Sequence, residues 1–134
     1  MTAGKTDRPA AGHILRYIYL FEEEQRRGRD EGVKERFVVV VGVEGSRYLV
    51  AAITTKGEGR KNAIAIPDEI ARAAGLVPGS AIVVSEFNRF TWPGFDIRPL
   101  MKQPGYIAGR LPPRFTTKII DAIAAWRAAP VDRD

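Results

Sequence analysis

The stretch RFVVVVGVEGSRYLVAAITT, Arg36 to Thr55, decides how the chain is read. Two apolar runs, Phe37–Val43 and Tyr48–Ile53, flank the polar break Glu44-Gly45-Ser46-Arg47. The runs are rich in β-branched residues and nearly free of charge, which suits strands buried on both faces. A short polar break containing glycine fits a hairpin loop. In an antiparallel hairpin the start of one strand lies beside the end of the other. Arg36 is therefore predicted to meet Thr54 at the open end, with Thr55 next in the chain. A guanidinium beside a hydroxyl at a sheet rim is able to hold a phosphate. The same residue types also end ordinary solvated strands.

Upstream, HILRYIYLF (His13–Phe21) reads as a strand. Leu15, Tyr17 and Tyr19 alternate with Ile14, Arg16, Ile18 and Leu20, as in a barrel strand with one partly covered face. His13 reads as a polar strand start, with a role as proton carrier open to it. Between the strands lies EEEQRRGRDEGVKE, Glu22–Glu35, with two glycines and no apolar stripe. It is a charged loop that is able to fold over a ligand site. Glu24, Glu31 and Glu35 are its candidate acids, and Lys34 adds a cation just before Arg36.

Downstream, KGEGRKN (Lys56–Asn62) is a basic, glycine-rich loop. Glycine lets a backbone approach a phosphate closely, and Lys56, Arg60 and Lys61 supply charge. The Walker pattern GxxxxGK[ST] is absent. A short strand follows at Ala63–Ile66. Pro67 then opens a helix, IPDEIARAAG, with Asp68 and Glu69 in its first turn and Gly75 at its end. Ile70, Ala73 and Ala74 are its predicted apolar face.

Ala81–Phe87 reads as a strand that runs on into NRFTWPGFD. Aromatics near Arg89 and Arg98 are able to stack on bases. They serve equally as core or interface residues, and Trp92 and Phe95 are read that way. Gly105–Leu111 is the last predicted strand. A helix follows over Arg114–Ala129, with Phe115, Ile119, Ala122, Ile123 and Trp126 on one face.

The resulting order is mainly β with two or three helices: a small, partly open antiparallel barrel with helices as covers. At 134 residues one domain is expected, spanning 13–129. Residues 1–12 are expected to be flexible and 130–134 to fray. There is no cysteine, hence no disulfide framework and no thiolate metal site. His13 is the single histidine, which rules out a histidine metal cluster and argues against a Ser-His-Asp triad. No cofactor is expected. No run approaches the ~18 apolar residues of a membrane span. No apolar leader follows the N-terminus, so a cytoplasmic location is expected. The net charge of +5 favours a polyanionic partner.

The order GHILRYIYLF, charged glycine loop, RFVVVVGV, RYLVAAITT resembles the MazF/PemK/Kid type of growth-inhibitor toxins. FTWPGFDIRPL, GYIAGRLPPRF and a terminal helix are similar to that family's second half. The resemblance covers roughly His13 to Ala129. It implies an SH3-like barrel, a homodimer and the toxin of a toxin–antitoxin pair, neutralised by a cognate antitoxin. It also implies metal-independent, sequence-specific cleavage of single-stranded RNA. The arginine opening the family's second strand corresponds to Arg36, and the threonine closing its third strand to Thr54. This chain departs where many members carry proline, since Phe37 follows Arg36. It also places Val84 near a later-strand arginine position and Glu86 near the acid.

For such a reaction the RNA's own 2′-hydroxyl attacks the adjacent phosphate, giving a 2′,3′-cyclic phosphate and a 5′-hydroxyl. Arg36 cannot be an ordinary base because its pKa exceeds ~12. It suits charge stabilisation, with Thr54 on a phosphate oxygen. Glu31, Glu24 and Glu86 are the candidate bases. Lys34, Thr55, Lys56, Arg60, Lys61 and Arg89 are the expected RNA contacts. Two other readings stay open. The segment AIAIPDEIARAAGLVPGSAIVV resembles AbrB/MazE-type DNA-binding antitoxins. A barrel without catalysis, acting as an interaction module, is the other.

Overall fold

The computed structural model describes residues 8–19, 34–55, 60–94, 96–100 and 105–133. Among them the protein is mainly β, one open sheet of nine strands with two helices. The strands are β1 (His13–Tyr19), β2 (Lys34–Glu44), β3 (Arg47–Thr54), β4 (Ala63–Ala65) and β5 (Ala81–Val83). They continue with β6 (Glu86–Thr91), β7 (Ile97–Arg98), β8 (Ile107–Arg110) and β9 (Ala129–Asp132). The helices are α1 (Asp68–Ala73) and α2 (Pro113–Trp126). All pairings are antiparallel except β6 with β9.

The β2–β3 hairpin is the centre of the sheet. Its turn is made possible by Gly45 at φ +65°, a left-handed conformation that glycine adopts without strain. Both faces of the hairpin are covered. Val38, Val40, Tyr48, Val50 and Ala52 face an aromatic core with Leu15, Tyr17, Tyr19, Phe90 and Trp92. Val39, Val41, Ala51 and Ile53 face a second core closed by Ala71 and Ala74 of α1's end and by Phe115 and Ile119 of α2. That is why these two strands are apolar at nearly every position.

The sheet branches at β3. Its first half pairs β6, with Val50 opposite Asn88, and its end pairs β5, with Ile53 opposite Ile82. A continuous partner would have placed Ser85 opposite Ile53. The predicted single strand Ala81–Phe87 is therefore two strands, and the step at Val84-Ser85 takes up the shift as a bulge does. A similar division occurs at β1, which pairs β8 near its start and β7 near its end.

Three expectations are corrected. The buried positions of α1 and its cap are Ala71 and Ala74, while Ala73 is exposed. The face is set by β8, which runs so close that a Cβ on Gly109 would stand 2.5 Å from the Ala74 carbonyl oxygen. Residues 130–134 were expected to fray after a helix ending at Ala129. Instead α2 stops at Trp126, Arg127 turns the chain at φ +53°, and β9 adds to the sheet with Val131 buried. Arg133 then forms a buried, two-bond ion pair with Asp96, at 2.9 and 3.2 Å. At the other terminus, residues 8–12 are held in place rather than flexible. The Gly12 N–H donates to Val40 O at 2.8 Å, and the Tyr48 hydroxyl donates to Pro9 O at 2.8 Å. Residues 1–7 lie outside the described residues. Among the described residues no helix is long and apolar enough to cross a membrane.

Candidate functional site

Pairing between β2 and β3 runs Val39 with Ala51 and Val38 with Ala52. Continued by two positions, this register sets Arg36 against Thr54, where β3 ends. Both residues line a cavity of about 490 Å³ at that open end. Phe37, Ile53 and Thr55 line it as well. Residues of both strand parities reach the cavity, as expected where strand pairing stops and the chain wraps around a sheet end. The far wall comes from Gly75, Leu76, Val77 and Ser80, the turn that follows α1. The Ser80 hydroxyl donates to Val77 O at 2.6 Å and fixes that turn.

Arg60 completes the lining. Two guanidiniums and three hydroxyls thus meet an apolar floor, and no carboxylate lines the cavity among the described residues. Such a site favours an anion attached to something apolar or aromatic. Phe37 leaves 37% of its surface exposed, so a ring face is available at the rim. Tyr19 stands on the same sheet face as Arg36, in the aromatic core. Its pKa is held well above the usual 10, first by burial and then by the charge of Glu86; Arg36 and a hydrogen bond with Asn88 pull the other way.

The structure therefore brings Arg36, Thr54, Thr55 and Arg60 together. Glu86 is not among the cavity's lining residues, and its charge acts on the Tyr19 phenol. Lys61 is exposed beside Arg60 but does not line the cavity. Lys34 opens β2 opposite Tyr19. Glu24, Glu31 and Lys56 lie outside the described residues.

Arg89 is a further correction. It stands on β6 opposite Leu49. At ~3.3 Å per residue that is roughly 17 Å along β3 from Thr54. There it grips Asp132 with two bonds, Nε to Oδ1 at 2.6 Å and Nη2 to Oδ2 at 2.7 Å. Arg47 adds a third contact at 3.2 Å, and the Arg89 bond holds the Asp132 carboxyl below its ordinary value. Trp92 is a core residue, 5.5 Å from the Tyr48 ring, while Phe95 lies outside the described residues. His13 is also remote from the cavity. It pairs across from Arg110, and its Nδ1 accepts the Ala10 N–H at 2.8 Å. Burial, then the Arg110 charge, lowers its pKa.

Sequence reasoning missed the wall from Leu76 to Ser80. The turn itself was legible from Val77-Pro78-Gly79-Ser80, but nothing local says that it folds back over the hairpin's open end. A scan against protein-family models and a search of curated proteins return no match to this chain.

Proposed function

We propose that this chain is a metal-independent endoribonuclease that cuts single-stranded RNA, the toxin of a type II toxin–antitoxin pair built on an SH3-like barrel of the MazF kind. The observation that carries the reading is the meeting of Arg36 and Thr54 in one cavity at the open end of the β2–β3 hairpin. In this reading the scissile phosphate sits against the Arg36 guanidinium, which stabilises the charge that grows on the phosphorane. Thr54 donates to a non-bridging oxygen, and Arg60 holds a neighbouring phosphate. The 2′-hydroxyl gives up its proton to a carboxylate brought from segment 22–35, with Glu31 and Glu24 as the proposed sources. The partners are a second copy of the chain and a cognate antitoxin.

The segment 63–84 that resembles AbrB-type DNA binders lends Ile66, Leu76 and Ile82 to this chain's own core. That supports the barrel enzyme over a swapped-hairpin DNA binder, which needs the segment for its dimer. The test uses purified protein, long RNA and excess chelator, with fragment ends assayed for 2′,3′-cyclic phosphate. Cleavage is expected from the parent and lost in Arg36→Ala. Intact RNA in all samples, or equal cleavage by Arg36→Ala, overturns the proposal.

A further inference from the structure

Apolar side chains exposed singly over a surface are ordinary. Among the described residues the large exposed ones are Phe37, Val43, Val77, Ile120 and Trp126. Two of these, Phe37 and Val77, are not scattered: both line the Arg36–Thr54 cavity. One comes from β2 and the other from the turn after α1, segments far apart in the chain.

Each is put there by its backbone. Val39 faces the core that α1 and α2 close, so by alternation along β2 Phe37 stands on the same face. The register that pairs Val38 with Ala52 sets Phe37 against Ile53 at the sheet's end. The ring keeps 37% of its surface exposed there. In the turn after α1, Leu76 is buried in that core while Val77, the next residue, is 62% exposed. The Val77 carbonyl accepts the Ser80 N–H at 3.2 Å and the Ser80 hydroxyl at 2.6 Å. Gly79, at φ +92°, lets the turn close. The outward placement of Val77 is thus fixed by hydrogen bonds.

Strand parity divides the cavity's lining. Arg36 and Thr54 fall on the face of Val38 and Ala52, while Phe37 and Ile53 fall on that of Val39 and Ala51. A nucleotide is divided in the same way, with charge at the phosphate and flat, weakly polar faces on the base. The cavity's volume of about 490 Å³ suits a ligand of that size. Arg36 and Arg60 attract any polyanion, and Phe37 and Val77 add nothing to that attraction. They add a surface that stabilises only a polyanion carrying aromatic groups.

We propose that Phe37 and Val77 form the base site of this cavity. A base of the RNA strand stacks on the Phe37 ring, and Val77 adds apolar contact from the far wall. This rests on the endoribonuclease reading and names the residues that hold a nucleotide beside the scissile linkage.

The experiment is fluorescence anisotropy with two 2′-O-methyl chains of equal length, neither of which has a free 2′-hydroxyl to cleave it. One is a mixed-sequence oligonucleotide and the other an abasic ribose–phosphate chain. The parent is expected to prefer the first. Phe37→Ala is expected to shrink that preference about tenfold. It should leave the affinity for the abasic chain and the slope of log affinity against log salt unchanged, since it removes stacking and no charge. Val77→Ser is expected to shrink the preference in the same direction. Phe37→Trp keeps a ring at the site. Its fluorescence is expected to be quenched by the oligonucleotide and not by the abasic chain, beyond any change that Trp92 and Trp126 give in the parent. An unchanged preference in Phe37→Ala, an equal loss toward both chains, or no added quenching in Phe37→Trp overturns the inference. If the parent also cleaves RNA in chelator, the endoribonuclease reading outlives that failure. A parent that neither cleaves RNA nor binds either chain overturns both.

Discussion

Arg36 occupies a position where a strand is still paired on one side and already open on the other. Tyr17 of β1 lies opposite it, and β3 ends at its other neighbour, Thr54. The side chain is thereby fixed by a sheet yet reaches a cavity, the combination that preorganised charge requires. Arg36→Ala is expected to reduce cleavage by about 10²–10³ without unfolding the protein, checked by initial rates and circular dichroism. Arg36→Lys keeps the charge but loses the planar fork, and is expected to recover only part of the rate. At Thr54 serine should sustain cleavage and valine should not, because only the hydroxyl matters to a phosphate oxygen. His13 offers a different test. Its pKa in the folded chain lies below the usual 6.5, so the unfolded chain binds its proton more readily. Its contribution to stability is complete above about pH 6.5 and is lost as pH falls. Melting temperature is expected to drop on acidification from pH 7 to 5, and His13→Gln should flatten that drop. The Asp132 carboxyl, lowered from 3.8 by Arg89, adds a loss of the same sign at still lower pH.

At the scale of elements, contacts that sequence spacing cannot foresee hold the sheet's margins. β8 runs against the end of α1 because Gly109 has no side chain. Gly109→Ala would drive a methyl into the Ala74 carbonyl, and an overpacking penalty of about 1–3 kcal/mol is expected in urea unfolding. Because Leu76 and Val77 follow directly on this contact, the same variant should also weaken oligonucleotide binding. β9 is tied to β6 by its backbone and to Arg47 and Arg89 by Asp132. Asp132 is half-exposed, so Asp132→Asn is expected to cost no more than about 1 kcal/mol. The Arg36–Thr54 meeting was legible because a hairpin is local: turn position fixes register, and register fixes the last pair. Arg89 was misread because its partner, Asp132, lies on a strand that no local pattern announced. The α2 helix ran short of its predicted end for the same reason, since the β6 edge drew Ala129–Asp132 into the sheet.

At the scale of the molecule, the Asp96–Arg133 pair joins the chain after β6 to the residue after β9. Both side chains are 5% exposed. Removing the carboxylate takes the ion pair from a buried guanidinium, so Asp96→Asn is expected to cost about 3–5 kcal/mol in urea unfolding. Replacing both by apolar residues of similar size should recover most of that loss, because the desolvation cost disappears with the pair. The Arg133 N–H donates to Arg89 O, next in the chain to Phe90 of the aromatic core, and near-ultraviolet circular dichroism should report loosening in Asp96→Asn.

The order of apolar runs, the hairpin and its turn, and the capped helices follow from local chemistry, and the amino-acid sequence by itself determined them. It also placed a cation and a hydroxyl at one strand end, because neighbours in a hairpin are neighbours in the chain. Only the tertiary structure decided which turn walls the cavity, that Glu86 does not line it, that Arg89 is taken by Asp132, and that Arg16 faces Arg98. Those pairings join segments far apart in the chain. They depend on where the open sheet branches and ends, which is settled by the packing of its two cores and by no periodicity within a single element.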